Sequence, residues 1–276
     1  MDGDYRGGKY SNTVRIGNWN EEIQLEELRM KDYLKRKEKG ALFVLTKQQR
    51  LENSLRRVPT HVDSDGILRI GNNIMLKNEC SGCFLAGDTE SQVLKEVGTC
   101  LTATTSPNDV PCARSVYALV SGLADNYDKV VRYGQSIRLC AETLSTTPMY
   151  LQSESISELS YSRISRRQEV TLSPVPNGET LWQILHADGK QRFATQGTPV
   201  QPGAFVLRHV GTGSYLSSDV ALEVRNLQGL EYEVHCHCYY STNKTHNLYS
   251  ERRGQITGDY ALRRHGLQNL WTVINN

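Results

Sequence analysis

The 276-residue sequence predicts a mainly β fold, a β-trefoil-like barrel of three quasi-repeats that carries an N-terminal helical arm. Three observations support this prediction. The segment GAFVLRHVGTGSYLSSD at 203–219 has the pattern of a β-hairpin, similar segments occur twice earlier in the chain, and helical periodicity is confined to the N-terminal part. We therefore place the arm in residues 1–65 and the barrel in residues 66–276. An irregular β-sandwich is the alternative.

The hairpin at 203–219 is the clearest local signal. Phe205 and Leu207 have the spacing of one face of a half-buried strand. Val206 and Arg208 would then lie on the other, more exposed face. The Gly-Thr-Gly turn at 211–213 supplies residues that adopt positive φ without strain, and a short strand follows it.

The barrel prediction depends on an internal repeat. The opening motif, in which apolar residues alternate after a glycine, occurs at Ile70–Leu76, Tyr133–Leu139 and Pro202–Leu207. Each unit then ends in a short apolar strand that contains one large aromatic residue, which is Tyr117, Trp182 or Trp271. Three such units, none able to bury its apolar face alone, predict a closed barrel with these aromatics in its core. The predicted units cover residues 66–125, 130–190 and 198–276.

A long amphipathic helix is predicted near the N-terminus. Asn18 followed by Glu21 resembles a capping box, lysines and arginines crowd the last turn, and Gly40 is a natural stop. The apolar positions form only a narrow stripe, so this helix packs weakly or against a partner. The stripe consists of Ile23, Met30, Tyr33 and Leu34.

A second short helix is predicted after Thr46, carrying Leu51 and Leu55 on one face and ending before Pro59. The whole region is too polar to hold a core of its own. Two interpretations remain open. It is either a helical appendage packed on the barrel or an arm that becomes ordered against another protein.

Composition excludes several classes of protein. A net charge of only +2 argues against a dedicated nucleic-acid binder. The sequence contains no stretch of about 18 consecutive apolar residues, so we predict no transmembrane helix. Its polar N-terminal segment lacks the apolar region of a signal peptide. Seven scattered cysteines, an odd number, predict reduced thiols in the cytosol or a compartment continuous with it.

The most metal-like cluster is His235–Cys238, which alternates histidine and cysteine. Side chains alternate in a strand, so four ligands from one short strand cannot close a tetrahedron around zinc. Cys80 and Cys83 have true Cys-x-x-Cys spacing, but a structural zinc site usually pairs two such motifs. We predict no metal and no cofactor, and we interpret His209 as a strand-end side chain that caps the hairpin turn.

Catalytic motifs are not evident in the sequence. It lacks a Gly-x-Ser-x-Gly elbow and a phosphate-binding loop, and the Cys80–Cys83 pair lacks the βαβ context of a redox motif. The prediction is therefore a protein that is not an enzyme. An insertion in the third unit, at about 233–258, contains the basic pair Arg252 and Arg253 and is the kind of loop that contacts partners.

The N-terminal string Val14–Glu22, VRIGNWNEE, is followed by Leu25–Glu27 and a lysine-rich helix that ends at Gly40. This segment resembles the opening of the cilia- and flagella-associated protein 161 family. The Gly-Asn-Asn strand opening at 71–73 and the hairpin segment at 207–213 resemble the body of that family too. The resemblance covers nearly the whole chain, and the nine-residue N-terminal string is its specific part.

This resemblance implies a non-catalytic microtubule inner protein, bound to the luminal face of axonemal doublet microtubules in motile cilia and flagella. Its implied partners are alpha- and beta-tubulin and neighbouring inner proteins, with no nucleic acid and no membrane. Linked weak contacts of a barrel and an arm would strengthen such binding. The candidate partner-binding residues are Ile16, Asn18, Trp19, Tyr33, Arg252 and Arg253.

Two alternatives remain. The first is a soluble MIR-like trefoil module that binds a protein or carbohydrate through one lobe, where only Tyr150 and Tyr215 recur at matched positions. The second is a thiol or zinc protein that uses Cys80 and Cys83.

Overall fold

The computed structural model describes residues 18–63, 65–122, 129–158, 160–239 and 265–274. The chain divides into two compact units after Leu51. The first contains helix α1 (Asn18–Glu38) and most of helix α2 (Phe43–Ser54). The second is built from antiparallel strands and a short helix α3 (Arg192–Thr195).

Helix α1 ends where the sequence predicts, and Asn18, which was predicted to cap it, is already its first residue. Basic residues occupy its last turn, and Gly40 follows with a φ of +64°. The amide of Gly40 donates to the Lys37 carbonyl at 3.1 Å, and that of Ala41 donates to the Arg36 carbonyl at 2.8 Å. These two bonds form a Schellman cap, which requires a residue that tolerates positive φ. The predicted stop at Gly40 is confirmed.

Helix α2 begins at Phe43, so the prediction that it starts after Thr46 was wrong. The Thr46 hydroxyl donates to the Leu42 carbonyl at 3.1 Å, a bond that threonine makes inside a helix rather than in front of it. The chain after α2 runs beside residues 111–114. The Ser54 carbonyl accepts from the Arg114 amide at 3.1 Å, although the sequence analysis placed Ser54 in the arm.

Twelve strands lie within the described residues of the second unit. They are β1 (Asn73–Asn78), β2 (Phe84–Lys95), β3 (Gly98–Ser106), β4 (Tyr117–Ser121), β5 (Ser136–Ala141), β6 (Met149–Ser153), β7 (Gln168–Ser173), β8 (Trp182–His186), β9 (Phe205–His209), β10 (Leu216–Asn226), β11 (Gly229–Cys236) and β12 (Trp271–Ile274). Ten of them pair in the order β11, β3, β2, β1, β12, β9, β8, β5, β6 and β7, and β7 pairs again with β11. The prediction of a mainly β fold with an N-terminal helix is confirmed, and the barrel is closed.

Strand β4 adds a second closure, because it pairs with both β1 and β5. Strands β1, β4, β5, β8, β9 and β12 thereby form a shorter ring. The other six strands form the hairpins β2–β3, β6–β7 and β10–β11, which pair with one another through β3, β7 and β11. Pairing of this kind protects strand edges that would otherwise bind other chains.

The three predicted closing aromatics, Tyr117, Trp182 and Trp271, are completely buried, as expected. Trp182 Nε1 donates to the Leu151 carbonyl at 2.8 Å, and Trp271 Nε1 donates to the Leu216 carbonyl at 3.0 Å. The Tyr117 hydroxyl is buried without a hydrogen-bond partner among the described residues. The three positions are therefore alike in burial but not in hydrogen bonding.

The predicted hairpin connects β9 and β10. The Gly213 amide, at a φ of +71°, donates to the His209 carbonyl at 2.9 Å. His209 Nδ1 lies 2.9 Å from Thr212 Oγ1, so the histidine caps the turn as predicted. The expectation that Val206 lies on a more exposed face was wrong. Val206 is completely buried, in a strand that is paired on both sides with β8 and β12.

Candidate partner-binding surfaces

The structure places only part of the predicted partner-binding set. Tyr33 lies in α1 with 48% of its surface exposed. Asn18 and Trp19 are the first two residues of α1, and their side chains lie outside the described part of the chain. Ile16, Arg252 and Arg253 also lie outside the described residues. The first residues of the predicted insertion at 233–258 belong to the end of β11, and the structure describes the insertion only up to residue 239.

An exposed apolar stripe runs along α1. Ile23, Met30 and Leu34 are 55%, 59% and 46% exposed and, at 3.6 residues per turn, share one face of the helix. Tyr33 lies at the border of this stripe. Exposed apolar side chains that share one face of a helix are typical of a surface that a partner covers.

Local interactions support α1 without using this stripe. Arg36 and Asp32 form an ion pair at 2.8 Å, and Lys31 and Glu27 form one at 3.8 Å, both one helical turn apart. Such exposed pairs contribute about 0.2–0.5 kcal/mol each to an isolated helix. The charged residues thus stabilise the helix, and the apolar ones remain at its surface.

A second exposed apolar group lies at the start of α2, where Phe43 and Val44 are both more than 70% exposed. The sequence analysis missed it because it placed the start of α2 four residues later, after Thr46. The signal was available, since two large apolar residues follow closely after the Gly40 stop. Lys47 Nζ lies 6.0 Å from the centre of the Phe43 ring.

The His-Cys-His-Cys motif has a structural explanation. His235 is completely buried, and its Nε2 accepts from Arg167 Nη1 at 3.0 Å. Burial and the nearby Arg167 charge lower the pKa of His235 to about 3, so this histidine is neutral near pH 7. The Arg167 guanidinium also lies over the ring of Tyr239, at 4.7 Å from its centre. The described residues contain no group of three or more histidine, cysteine or acidic side chains that could hold a metal ion.

The Cys80–Cys83 spacing belongs to the turn that joins β1 to β2. Asn78 Oδ1 accepts from the amides of Cys80 and Ser81, both at 3.1 Å, which forms an Asx-type turn. Both cysteines are free thiols, and Cys83 is buried. Burial raises the pKa of the Cys83 thiol, so its reactive thiolate is disfavoured.

Comparison with known proteins identifies the family. A model of the cilia- and flagella-associated protein 161-like domain matches residues 150–249, from β6 through β11 and beyond. The chain is 30% identical to cilia- and flagella-associated protein 161 of Mus musculus over 254 residues, which cover 85% of this chain and 84% of the relative. The chain belongs to the cilia- and flagella-associated protein 161 family. The Bos taurus relative is 28% identical over 251 residues, covering 85% of this chain and 78% of its own length.

Solved structures give the same kind of fold. The SDF2-like protein from Arabidopsis thaliana is similar to this chain with a TM-score of 0.53 and 18% identity, over 75% of this chain and 94% of that one. A Caenorhabditis elegans protein of unknown function gives a TM-score of 0.52 at 17% identity, over 78% and 99% of the two chains. At these identities the similarity concerns the fold alone.

Membership of the cilia- and flagella-associated protein 161 family supports a location in the cilium or flagellum. The family match includes β11, so the His-Cys-His-Cys motif lies within the family domain. Within the described part of the chain, no helix has both the length and the apolar character needed to cross a membrane.

Proposed function

We propose that this member of the cilia- and flagella-associated protein 161 family is a non-catalytic microtubule inner protein of motile cilia and flagella. It binds the luminal wall of axonemal doublet microtubules, through alpha- and beta-tubulin and neighbouring inner proteins, and stabilises the doublets during beating. Family membership supports the ciliary part of this proposal.

The observation that carries the binding part is the exposed stripe of Ile23, Met30 and Leu34 on α1. A helix gains most of its stability in a protein from packing its apolar face, and this face is open to solvent. An axonemal partner would cover it. Candidate contacts that stay predictions are Ile16, Asn18, Trp19, Tyr33, Arg252 and Arg253.

We also propose that the barrel is a β-trefoil with quasi-equivalent units at about 66–125, 130–190 and 198–276. Two features of the strand pairing support this. A six-stranded ring is closed by β4, and three hairpins pair with one another around it. A closed barrel of this kind is a rigid body that resists deformation, which suits a structural role.

The experiment that tests the function uses a tagged full-length copy in a ciliated cell, followed by salt extraction of isolated axonemes. We expect the protein to stay with the axoneme at high salt and to be released when the doublets are dissolved. The double variant Met30→Gln, Leu34→Gln keeps helix propensity but removes two of the three residues of the apolar stripe. We expect it to be extracted at lower salt than the natural protein.

The matched control is Leu28→Gln, which changes an equally exposed leucine about 140° around α1 from the stripe. It should be retained like the natural protein. A diffuse cytosolic signal, or extraction of the natural protein by mild salt, would overturn the proposal. The protein would then be better explained as a soluble MIR-like β-trefoil module for a protein or carbohydrate ligand.

A further inference from the structure

The barrel unit carries an open cleft of about 500 Å³ at the side of β8, α3 and the β9–β10 turn. We call it the basic cleft. The residues that define it are Gln183, His186, Arg192, Phe193, Arg208 and Tyr215. Its volume lies in the usual range for a site that binds a small group or one or two side chains. No aspartate or glutamate is among the described residues that line it.

Arg192 is held in place at one wall of the basic cleft. Its Nε donates to the His186 carbonyl at 2.9 Å, and its Nη1 donates to Tyr215 Oη at 3.3 Å. The guanidinium carbon lies 5.5 Å from the centre of the Tyr215 ring. Nη2 is buried and has no hydrogen-bond partner among the described residues. The charge is thus fixed in orientation by neutral groups, with no carboxylate beside it in the cleft lining.

Arg208 supplies the second positive charge. Its side chain makes no hydrogen bond or ion pair with any residue that the structure describes. The guanidinium lies against the β9–β10 turn, where a Cβ placed on Gly213 would be 3.4 Å from Arg208 Nη2. Glycine at this position has a φ of +71° and leaves that space open. The guanidinium therefore keeps its full set of donors for an incoming group.

We propose that the basic cleft binds an acidic segment of a partner protein, with a glutamate or aspartate carboxylate hydrogen-bonded to Arg208 and attracted by the positive charge of Arg192. The planar guanidinium of Arg208 matches a carboxylate with two parallel hydrogen bonds. Phe193 stands at the rim with 74% of its surface exposed and offers an apolar contact to a neighbouring residue of the segment. This mixture of charged and apolar walls favours a peptide over a free phosphate ion.

The basic cleft belongs to the barrel unit, whereas the stripe that carries the proposed function belongs to α1. The two proposals therefore make separate predictions. A protein that loses binding through the cleft should still present the α1 stripe. Equally, a protein with a changed stripe should keep its affinity for an acidic peptide.

The test measures binding of a fluorescein-labelled hexaglutamate peptide to the full-length protein by fluorescence anisotropy, at low and at physiological ionic strength. Arg208→Gln should weaken binding about tenfold or more, because hydrogen bonds to a charged group are lost. Arg192→Gln should weaken it too. The control Arg225→Gln removes the same charge from an exposed position on β10 outside the cleft and should change affinity less than about twofold.

Three outcomes would overturn the proposal. Equal losses of affinity in Arg208→Gln and Arg225→Gln would mean that peptide binding depends only on the net charge of the protein. Displacement of the peptide by inorganic phosphate at a similar concentration would assign the cleft to phosphate ions. Unchanged affinity in Arg208→Gln would place the binding elsewhere. Thermal melts of each variant verify folding, and Met30→Gln, Leu34→Gln in the same assay should bind the peptide normally.

Discussion

Arg114 and Glu231 form a two-bonded ion pair that is almost completely buried, with Nη1–Oε1 at 2.7 Å and Nη2–Oε2 at 2.9 Å. Glu231 also accepts from Thr104 Oγ1 at 2.7 Å and from Asn226 Nδ2 at 2.5 Å, and Arg114 Nε donates to the Gly87 carbonyl at 2.9 Å. The pair thus joins hairpins β2–β3 and β10–β11 to the segment before β4. The buried charges are tolerated in the interior because the charged groups have hydrogen-bond partners.

Removing one partner of this pair should be costly. Glu231→Gln keeps the shape of the side chain but leaves the Arg114 charge buried and unpaired. We expect the free energy of unfolding to fall by about 3–5 kcal/mol. Urea denaturation measures this, with Glu223→Gln at an exposed position of β10 as the control, expected within about 0.5 kcal/mol of the natural protein. Similar small effects of both variants would contradict the structural role of the pair.

Acid should destabilise the barrel through its buried histidines. Burial and Arg167 lower the pKa of His235 to about 3, and burial with Arg192 lowers that of His265 to about 4. Between these values and the unfolded value of about 6.5, only the unfolded chain binds the protons. The free energy of unfolding therefore falls as pH decreases from about 6.5, by up to about 1.4 kcal/mol per pH unit for each histidine.

The variant His235→Gln tests this dependence, because glutamine can still accept a hydrogen bond from Arg167 but does not titrate. Denaturation between about pH 5 and pH 6.5 avoids the titration of most carboxylates. The slope of unfolding free energy against pH should become smaller than that of the natural protein, while His265, His209 and His237, whose pKa values burial also lowers, keep contributing to it. An unchanged slope would show that His235 is protonated in the folded state.

Two of the closing aromatics should respond in opposite ways to replacement by phenylalanine. Tyr117→Phe removes a buried hydroxyl that has no partner, and we expect a gain of about 1 kcal/mol in unfolding free energy. Trp182→Phe removes the bond to the Leu151 carbonyl and leaves a space, and we expect a loss of about 2–4 kcal/mol. Thermal or chemical denaturation compares them directly. A loss in Tyr117→Phe would mean that its hydroxyl has a partner in solution.

Gly122 lies where the chain has no room for a side chain. A Cβ at this position would be 2.5 Å from the Ser136 carbonyl oxygen, which also accepts from the Gly122 amide at 2.9 Å. Gly122→Ala should therefore cost about 1–3 kcal/mol of unfolding free energy. Gly178→Ala is the control, because no atom lies within 4 Å of its added methyl group. If both glycines tolerate alanine equally, the backbone at Ser136 moves more easily than the packing implies.

A substitution of Trp19 tests whether the N-terminal arm binds a partner. We expect Trp19→Ala to leave the thermal stability of the isolated protein nearly unchanged and to weaken incorporation into axonemes, measured by the salt-extraction assay. A buried aromatic replaced by alanine costs about 3–5 kcal/mol, which a melt detects easily. A large loss of stability in the isolated protein would mean that Trp19 packs within its own chain.

Local sequence patterns predicted the local structure well. The Gly40 stop, the β9–β10 turn and the burial of the closing aromatics each follow from a few neighbouring residues. The predictions were wrong where contacts with distant parts of the chain determine which residues are buried. Val206 is buried although the alternation assigned its face of β9 to solvent, and no pattern within β9 reports which distant residues cover that face.

The candidate sites were harder to predict for the same reason. Arg114 and Glu231 are 117 residues apart, and no motif connects them. The basic cleft brings Arg192 and Arg208 together through folding of β8, α3 and β9, although neither belongs to a recognisable binding motif. The His-Cys-His-Cys motif, in contrast, attracted attention through its spacing, yet its first histidine bonds to Arg167, which lies just before β7.

The pairing of β1 with β12 also affects how the chain folds during its synthesis. Asn78 in β1 hydrogen-bonds to the Leu270 carbonyl, 192 residues later in the chain. During synthesis β1 therefore leaves the ribosome long before its partner exists, and its edge stays open to other chains. Folding of such distant contacts is slow, so a chaperone that shields β1 would raise the yield. A premature stop before Trp271 would leave β1 and β9 without β12, and such products should be degraded rather than delivered to a cilium.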